Sequence, residues 1–441
     1  MAAPRPRLLY AHRQQTELRT DSLDQLLPPD HPVRGVWQFV EGLDLSELLQ
    51  AIGSVIGSAG APAIDPRILL ALWLQATLDG IGSSRQLARL CEEHLAYRWL
   101  CGGVAVGYHT LADFRTGHGE VLDRLLTETV AVLVHEGLVD LKRVAQDGVR
   151  VRAAAGTSSF RRGPTIATCL AEAQAQVEAL RSEAGEDAGA ASRREQAARQ
   201  RAAAERVKRL QAAQVELTQL RSVNAAQPVS RQKDPQEVRV STTDPECRIM
   251  KMPDGGFRPA YNVQFATATA GGVIVGVDVT NAGTDGAEMP PMIEQIERRY
   301  QARPREMLVD GGFATVAAID WAERDGTAVY APVKKEDQQL AAGQDPYRRK
   351  RSDTDATAHW RARMATAEAK TIYKERASTA EWVNAGARKR GLTGVTVRGR
   401  VKVWVVALWQ ALAHNYQRIR SFGAAAFGRD ASRRGPMAGS G

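Results

Sequence analysis

The chain has 441 residues, with 59 Lys and Arg against 50 Asp and Glu, which gives a net charge of +9. This length allows two or three domains, and the basic excess favours a polyanionic partner such as nucleic acid, although solubility alone would also explain it. The four cysteines are too far apart for a compact disulfide framework or for paired metal ligands. The sequence lacks the apolar core of a signal peptide and an apolar run that could span a membrane, so we expect a soluble, cytoplasmic protein.

The first part of the chain predicts an all-helical domain over residues 21–140, after a flexible N-terminus at 1–20. Asp65 is expected to cap a helix that has Pro66 in its first turn. That helix continues into the apolar run Ile68–Leu74, which should be buried on nearly all sides. Two later helices complete the predicted domain, one from about Thr110 and one over Val121–Val134.

A tight turn over Gly80–Ser83 separates the apolar helix from an amphipathic helix that begins at Ser84. Arg85 and Arg89 project from this second helix. A helix, a tight turn and a second helix with exposed arginines are compatible with a helix-turn-helix DNA reader. Because any all-helical domain offers such pairs, an ordinary structural role is the alternative interpretation.

Residues 157–240 are rich in Ala, Gln, Glu and Arg and predict a helical insertion. Apolar residues in it follow the spacing of a helical hairpin or short coiled coil, at Val207, Leu210, Leu217 and Leu220. The glycines within 185–189 are expected to divide the insertion into two arms. Its basic side chains could follow a DNA backbone, but they alternate with acidic ones, which favours a solvated arm.

The rest of the chain predicts an α/β domain over 141–420, with a second insertion at 334–370 and a disordered tail at 421–441. Five runs rich in β-branched residues predict its strands, at 143–151, 259–266, 272–279, 307–310 and 328–332. Helices are predicted between the later strands, over 286–300 and 316–324. Three strands followed by alternating helices and strands predict a ribonuclease-H-like fold with a mixed five-stranded sheet.

Three carboxylates stand out in this order of elements. Asp147 lies in the middle of the first strand, Asp310 ends a later strand before two glycines, and Glu381 lies on a helix. A carboxylate in an apolar strand is costly unless a positive charge, such as that of a divalent cation, compensates it. Hard oxygen ligands suit Mg²⁺ or Mn²⁺, so we expect the three side chains to meet at one edge of the sheet and to bind two ions.

The helix around Glu381 carries further polar residues on one face. At about 100° per residue, Tyr373, Glu381, Asn384 and Arg388 fall on one stripe, with Arg376 beside it. A carboxylate flanked by Arg and Tyr is typical of a site that holds phosphates next to a metal ligand. A charged helix face in water is the alternative.

These residues resemble the DDE transposases of bacterial insertion sequences. The motifs of the catalytic part are Asp147-Gly148 followed by Ala153–Gly156, Asp310-Gly311-Gly312-Phe313, and Tyr373-x-x-Arg376-x-x-x-x-Glu381. The helical part is similar to one branch of this family in His31–Arg34, Asp65-Pro66, Gly80–Arg85, Tyr97–Leu100 and Phe114-Arg115, and the middle in Thr243–Glu246 and Tyr261–Gln264. One departure is Trp382-Val383-Asn384, where many relatives carry Pro-Val/Ile-Phe-Gly.

The resemblance implies an Mg²⁺-dependent enzyme, with a ribonuclease-H-like core, that cleaves DNA at terminal inverted repeats and joins the freed ends to target DNA. From their placement in the predicted elements, we expect Asp147, Asp310 and Glu381 to be catalytic metal ligands, and Tyr373, Arg376, Arg388, Arg85 and Arg89 to contact DNA. A homodimer or higher assembly on DNA, associated with the bacterial nucleoid and not with a membrane, is expected. Two alternatives are a nuclease of the same fold that never joins strands and a transposase-derived DNA-binding repressor.

Overall fold

The structure is a computed structural model that describes residues 20–54, 61–182 and 190–423, together with Gln14, and the side chains from residue 195 onward in the last range. Most of the predicted flexible N-terminus and disordered tail, and the predicted break at 185–189, lie outside the described residues. Among the residues that the structure describes, no helix combines the length and the apolar character needed to cross a membrane.

Seven described helices precede the first strand: α1 (Pro32–Glu41), α2 (Ser46–Gln50), α3 (Pro66–Leu78), α4 (Ser84–Glu93), α5 (Leu95–Cys101), α6 (Tyr108–Gly117) and α7 (Gly119–His135). The predicted start of α3 is confirmed, because the Asp65 side chain accepts a hydrogen bond from the backbone N–H of Arg67. Gly80, with a φ of 73°, makes the predicted turn, and Ser83 caps α4. The predicted all-helical architecture of this part is therefore confirmed.

Eight described strands follow: β1 (Asp140–Arg152), β2 (Phe160–Arg161), β3 (Val240–Ser241), β4 (Arg248–Lys251), β5 (Phe257–Ala270), β6 (Ile274–Thr280), β7 (Glu306–Leu308) and β8 (Ala328–Tyr330). The long strand β1 is antiparallel to β5 and parallel to β7, and β7 is parallel to β8. Both β4 and β6 are antiparallel to β5, along different stretches of it. The main sheet is therefore mixed, as predicted, but has six strands, since the short β4 was not expected; β2 and β3 form a separate ladder.

The described helices after β1 are α8 (Gly163–Ser182), α9 (Ala190–Ala225), α10 (Met289–Tyr300), α11 (Val316–Arg324), α12 (Glu336–Ala341), α13 (Asp355–Met364), α14 (Ala367–Arg376), α15 (Trp382–Lys389) and α16 (Arg400–Phe422). Short 3₁₀ turns cover Thr157–Ser159 and Val229–Arg231. The helix predicted from residue 286 begins at Met289, just before its two prolines. Within the predicted insertion, α8 and α9 pack together and bury Leu210 and Leu217 of the predicted stripe.

Helix α16 connects the helical part to the sheet. It packs against β6 on one side and against α3 and α7 on the other. Most of its side chains are buried, including Leu408, Trp409 and Leu412, and they belong to one hydrophobic core that runs from the N-terminal helices to the sheet. This core fixes the N-terminal helices relative to β1, which carries Asp147, and to β7, which Asp310 follows.

Candidate active site

Asp147 lies in the middle of β1, opposite Phe265 of β5. Its side chain is only 18% exposed, and burial raises the pKa of its carboxyl above the usual value, against the opposing effect of Arg376. Two donors hold the carboxylate in place: the backbone N–H of Gly148 at 2.9 Å from Oδ1 and the side-chain amide of Asn384 at 2.9 Å from Oδ2. The strand thus presents a buried and oriented carboxylate.

Arg376, at the end of α14, binds two of the three predicted carboxylates. Its Nη2 lies 3.1 Å from Oδ2 of Asp147, and its Nη1 lies 3.0 Å from Oε1 of Glu381. Burial lowers the pKa of the guanidinium, but the surrounding charges, with Asp147 the largest contributor, more than offset that effect and raise the pKa. Arg376 is therefore the counter-ion of Asp147 in this arrangement.

Asp310 lies two residues after the end of β7, in the turn formed by Gly311 and Gly312. Its Oδ1 accepts a hydrogen bond from the backbone N–H of Gly312 at 2.6 Å. Its charge contributes to raising the pKa of Asp147 and that of Tyr373 on α14. Asp310 is therefore near enough to Asp147 to interact with it electrostatically, although it does not bind Arg376 directly.

Glu381 lies on a π-helical turn, Ala377–Glu381, inserted between α14 and α15. Residues five positions apart differ in direction by about 140° on an α-helix, whereas the i→i+5 hydrogen bonds of a π turn bring them to the same side. This turn explains how Arg376 reaches Glu381. The prediction of an uninterrupted α-helical stripe was wrong at this point, and Glu381 remains 58% exposed.

Comparison with known families decides the identity of the chain. Residues 21–117 match a family described as a transposase domain (DUF772), and residues 234–392 match the Transposase DDE domain. The chain belongs to the DDE transposases of insertion sequences. The second match contains Asp310, Arg376 and Glu381, whereas Asp147 lies between the two matches. The predicted ribonuclease-H-like fold class is confirmed, and the chain has no significant match among curated proteins or solved structures.

The carboxylates of the transposase have the chemistry of a divalent-metal site, since all three are hard oxygen donors. DDE transposases generally use divalent metal ions. Within the described ranges, however, no three His, Cys, Asp or Glu side chains lie close enough together to hold one ion. The donor set fits such a cation, but Arg376 supplies the positive charge between Asp147 and Glu381 in this arrangement.

A second polar layer of the transposase lies beside Asp147 and was not recognised in the sequence. Oδ1 of Asp285 accepts hydrogen bonds from the amides of Asn262 at 2.6 Å and Gln264 at 2.8 Å. Gly148 lies directly over this group, because a Cβ there would come within 2.6 Å of both amide side chains and within 2.8 Å of Asp285. The signal in the sequence was the spacing of Asn262 and Gln264, two polar residues facing the same way in an otherwise apolar strand.

The other predicted DNA-contacting residues are distributed over the transposase. Tyr373 is half-buried near the carboxylates, and Arg388 is exposed at the end of α15. Arg85 and Arg89 are exposed on α4, in the N-terminal helices. The guanidinium of Arg85 lies 5.0 Å from the centre of the Tyr108 ring, and Arg89 pairs with Glu93 at 3.8 Å. Arg376 therefore contacts two of the carboxylates and Tyr373 interacts with all three electrostatically, whereas no contact described above joins Arg388, Arg85 or Arg89 to that group.

Proposed function

We propose that this transposase cleaves DNA at the ends of an insertion sequence and joins the freed 3′-hydroxyl to target DNA, with Asp147, Asp310 and Glu381 holding two Mg²⁺ or Mn²⁺ ions. The observation that carries the proposal is the arrangement around Arg376. The carboxylates of Asp147, on β1, and of Glu381, on the π turn, both bind its guanidinium, and the charge of Asp310 contributes to raising the pKa of that guanidinium. Two carboxylates bound by one guanidinium, with the charge of a third acting on it, are suited to metal-assisted phosphoryl chemistry.

Divalent cations bound by these carboxylates would activate the attacking water or 3′-hydroxyl and stabilise the leaving oxygen. The protein's own residues orient the carboxylate of Asp147 and position the DNA phosphate. The N–H of Gly148 and the amide of Asn384 fix the direction of the Asp147 carboxylate. Arg376 and Tyr373 both lie on α14 and interact electrostatically with the carboxylates. A DNA phosphate that binds beside the carboxylates would therefore meet a guanidinium and a phenol as hydrogen-bond donors.

The N-terminal helices, residues 21–140, are proposed to recognise the terminal inverted repeats through α4, with Arg85 and Arg89 facing the DNA. Residues 141–420 are proposed as the catalytic domain, with insertions at 157–240 and 334–370. Both arginines are exposed and follow a tight turn, as a helix-turn-helix reader requires. Assembly as a homodimer or larger complex on DNA, in the cytoplasm and on the nucleoid, is part of the same proposal.

The test uses the full chain, a labelled duplex that carries the element's end, and an unlabelled target duplex. Asp147→Asn, Asp310→Asn and Glu381→Gln should each abolish Mg²⁺-dependent cleavage and joining while retaining end binding, because each change removes a ligand charge with little change in volume. Asp337→Asn, on the exposed face of α12, is the matched control and should remain active. Native activity in any of the three variants would disprove the metal-binding role of that residue.

The same assay distinguishes the two alternatives. Cleavage of the labelled end without any joined product, with Mg²⁺ and with Mn²⁺, would identify a nuclease of this fold. Specific end binding without cleavage under either condition would identify a DNA-binding repressor. The proposed transposase should give both the cleaved and the joined product.

A further inference from the structure

Two arginines meet at a small cavity between the N-terminal helices and the catalytic part. Arg115 lies on α6, and Arg390 directly follows α15, at the opposite end of that helix from Glu381. The cavity has a volume of about 50 Å³. Its wall is completed by the turn after α3 and by the loop after α15, with Gly80, Gly82, Gly391, Gly394 and Thr396.

Neither guanidinium has an acidic partner among the residues that the structure describes. Arg115 donates to the carbonyl of Gly82, lies 3.4 Å from the hydroxyl of Thr396 and stacks over the Trp73 ring at 4.9 Å. Burial lowers its pKa to about 10, so it remains charged at neutral pH. A half-buried charge with only neutral partners is unfavourable unless an anion compensates it.

Arg390 is even more enclosed, with 8% of the residue exposed. Its Nε and Nη1 donate to the side chains of Gln410 and Gln417, each at 3.2 Å. Its Nη2 is buried and has no hydrogen-bond partner within the described part of the chain. Burial lowers the pKa of this guanidinium to about 10 as well. Arg390 therefore lines the cavity and keeps one charged donor without a partner.

The glycines give the cavity its shape. Gly80 and Gly391 have φ values of 73° and 87°, which side chains rarely adopt, and a Cβ at Gly391 would lie 3.1 Å from the carbonyl oxygen of Gly80. Both residues line the cavity and are exposed. A single water needs a cavity volume of roughly 10–15 Å³. The cavity, at about 50 Å³, is several times larger than that and has room for a tetrahedral oxyanion.

We propose that this cavity binds one phosphate group of the DNA backbone, clamped between Arg115 and Arg390. The proposal rests on the proposed function, because DNA is the ligand. Guanidinium groups match the geometry of phosphate oxygens, and contacts to phosphates fix the register of a protein on DNA. A phosphate held here lies between the turn that leads into α4 and the end of α15, and thus sets the position of the bound end relative to Glu381.

Inorganic phosphate is the first probe. Its binding is measured as the rise in the thermal unfolding midpoint of the full chain in phosphate relative to chloride, at equal ionic strength and without divalent cation. Thr396→Asp places a carboxylate beside Arg115 and should weaken phosphate binding at least roughly tenfold. Thr393→Asp adds the same charge at an exposed residue that does not line the cavity, and should bind phosphate like the native chain. Arg390→Gln is the second variant and should also lose phosphate binding. An equal response of all four proteins would overturn the proposal.

DNA is the second probe, again without divalent cation, so that failure of catalysis does not affect the result. The slope of log affinity against log salt should fall by about 0.9 in Thr396→Asp relative to Thr393→Asp, as expected for one lost phosphate contact. A methylphosphonate removes the charge of one backbone phosphate and can be placed at each position of the duplex in turn. At one of these positions it should weaken binding of the DNA to the native chain, and at that position it should leave binding to Thr396→Asp unchanged. If the native chain binds inorganic phosphate but the salt dependence of DNA affinity is the same in Thr396→Asp and Thr393→Asp, the phosphate bound in this cavity does not belong to DNA, and the proposal is wrong.

Discussion

The guanidinium of Arg376 lies 3.1 Å from a carboxylate oxygen of Asp147, and this contact places a fixed positive charge next to a candidate metal ligand whose side chain is only 18% exposed. The same guanidinium binds Glu381 through its other terminal nitrogen. Arg376 and a divalent cation would therefore satisfy the same carboxylates. This relationship makes the stability of the protein and its response to metal ions depend on one residue.

Replacing Arg376 by Gln should lower the free energy of unfolding by about 2 kcal/mol in the presence of EDTA. Removing one partner of a buried pair leaves an uncompensated charge, and the figure lies below that for fully enclosed pairs because the Asp147 side chain is 18% exposed. Urea denaturation measures the change. Added Mg²⁺ should stabilise the variant more than the native chain, because the cation then replaces the lost counter-ion.

Arg388→Gln is the control for this experiment, because it makes the same change of charge at an exposed position seven residues after Glu381. It should leave the unfolding free energy within about 0.5 kcal/mol of the native value. Equal stability of the Arg376 and Arg388 variants in EDTA would contradict the role of Arg376 as a counter-ion.

Arg388 should instead affect DNA affinity. Arg388→Ala is expected to weaken binding to the terminal repeat and to a scrambled duplex by the same factor, because a phosphate contact carries no sequence information. The salt dependence should fall by about one counterion. Affinities measured over a range of NaCl concentrations test both points, and a loss restricted to the terminal repeat would show that Arg388 reads bases.

Much of the architecture followed from local sequence signals. The cap at Asp65, the tight turn over Gly80–Ser83 and the composition of the insertion each predicted an element that the structure contains. The family match confirms the fold class that these elements implied. Local signals suffice here because capping, turn chemistry and hydrophobic periodicity all point to the same elements.

The contacts at the site could not be predicted in the same way. The π turn at Ala377–Glu381 has no residue type that marks it in the sequence, and it changes which side chains share a face. Asn384 was expected only as a member of an α-helical stripe, whereas its amide binds Asp147 across the domain. Such contacts depend on the packing of distant segments, which a single sequence does not reveal.

Gly148→Ala should destabilise the protein by about 1–3 kcal/mol and reduce DNA cleavage. The added Cβ would come within 2.6 Å of Asn262 and Gln264 and within 2.8 Å of Asp285, so these side chains must move and the strand that carries Asp147 shifts with them. Urea denaturation and the cleavage assay measure the two effects. Gly117→Ala, at a helical position where a Cβ meets nothing within 4 Å, is the control and should be neutral or slightly stabilising. Native stability and activity of Gly148→Ala would show that the packing at this point is loose.

His414, on α16, should make the stability of the protein sensitive to mild acid. The residue is 2% exposed, its Nε2 lies 2.8 Å from the carbonyl oxygen of Gly272, and its ring packs edge-on against Trp382. Burial lowers its pKa to about 4, with a smaller contribution from Arg390 and Arg418 and an opposing one from the Gly272 contact. The neutral imidazole then donates to Gly272 in the folded state.

Because the folded pKa lies below the unfolded value of about 6.5, the unfolded chain binds a proton first as the pH falls. The contribution of His414 is therefore fully present above about pH 6.5 and is lost as the pH falls towards 4, which amounts to about 2 kcal/mol between pH 7 and pH 5. His414→Gln keeps a donor for Gly272 but does not titrate in this range. Urea denaturation at pH 7 and at pH 5 measures the free energy of unfolding. Its decrease between the two pH values should be smaller in His414→Gln than in the native chain by about 2 kcal/mol. An equal decrease in the two proteins would contradict a buried neutral histidine.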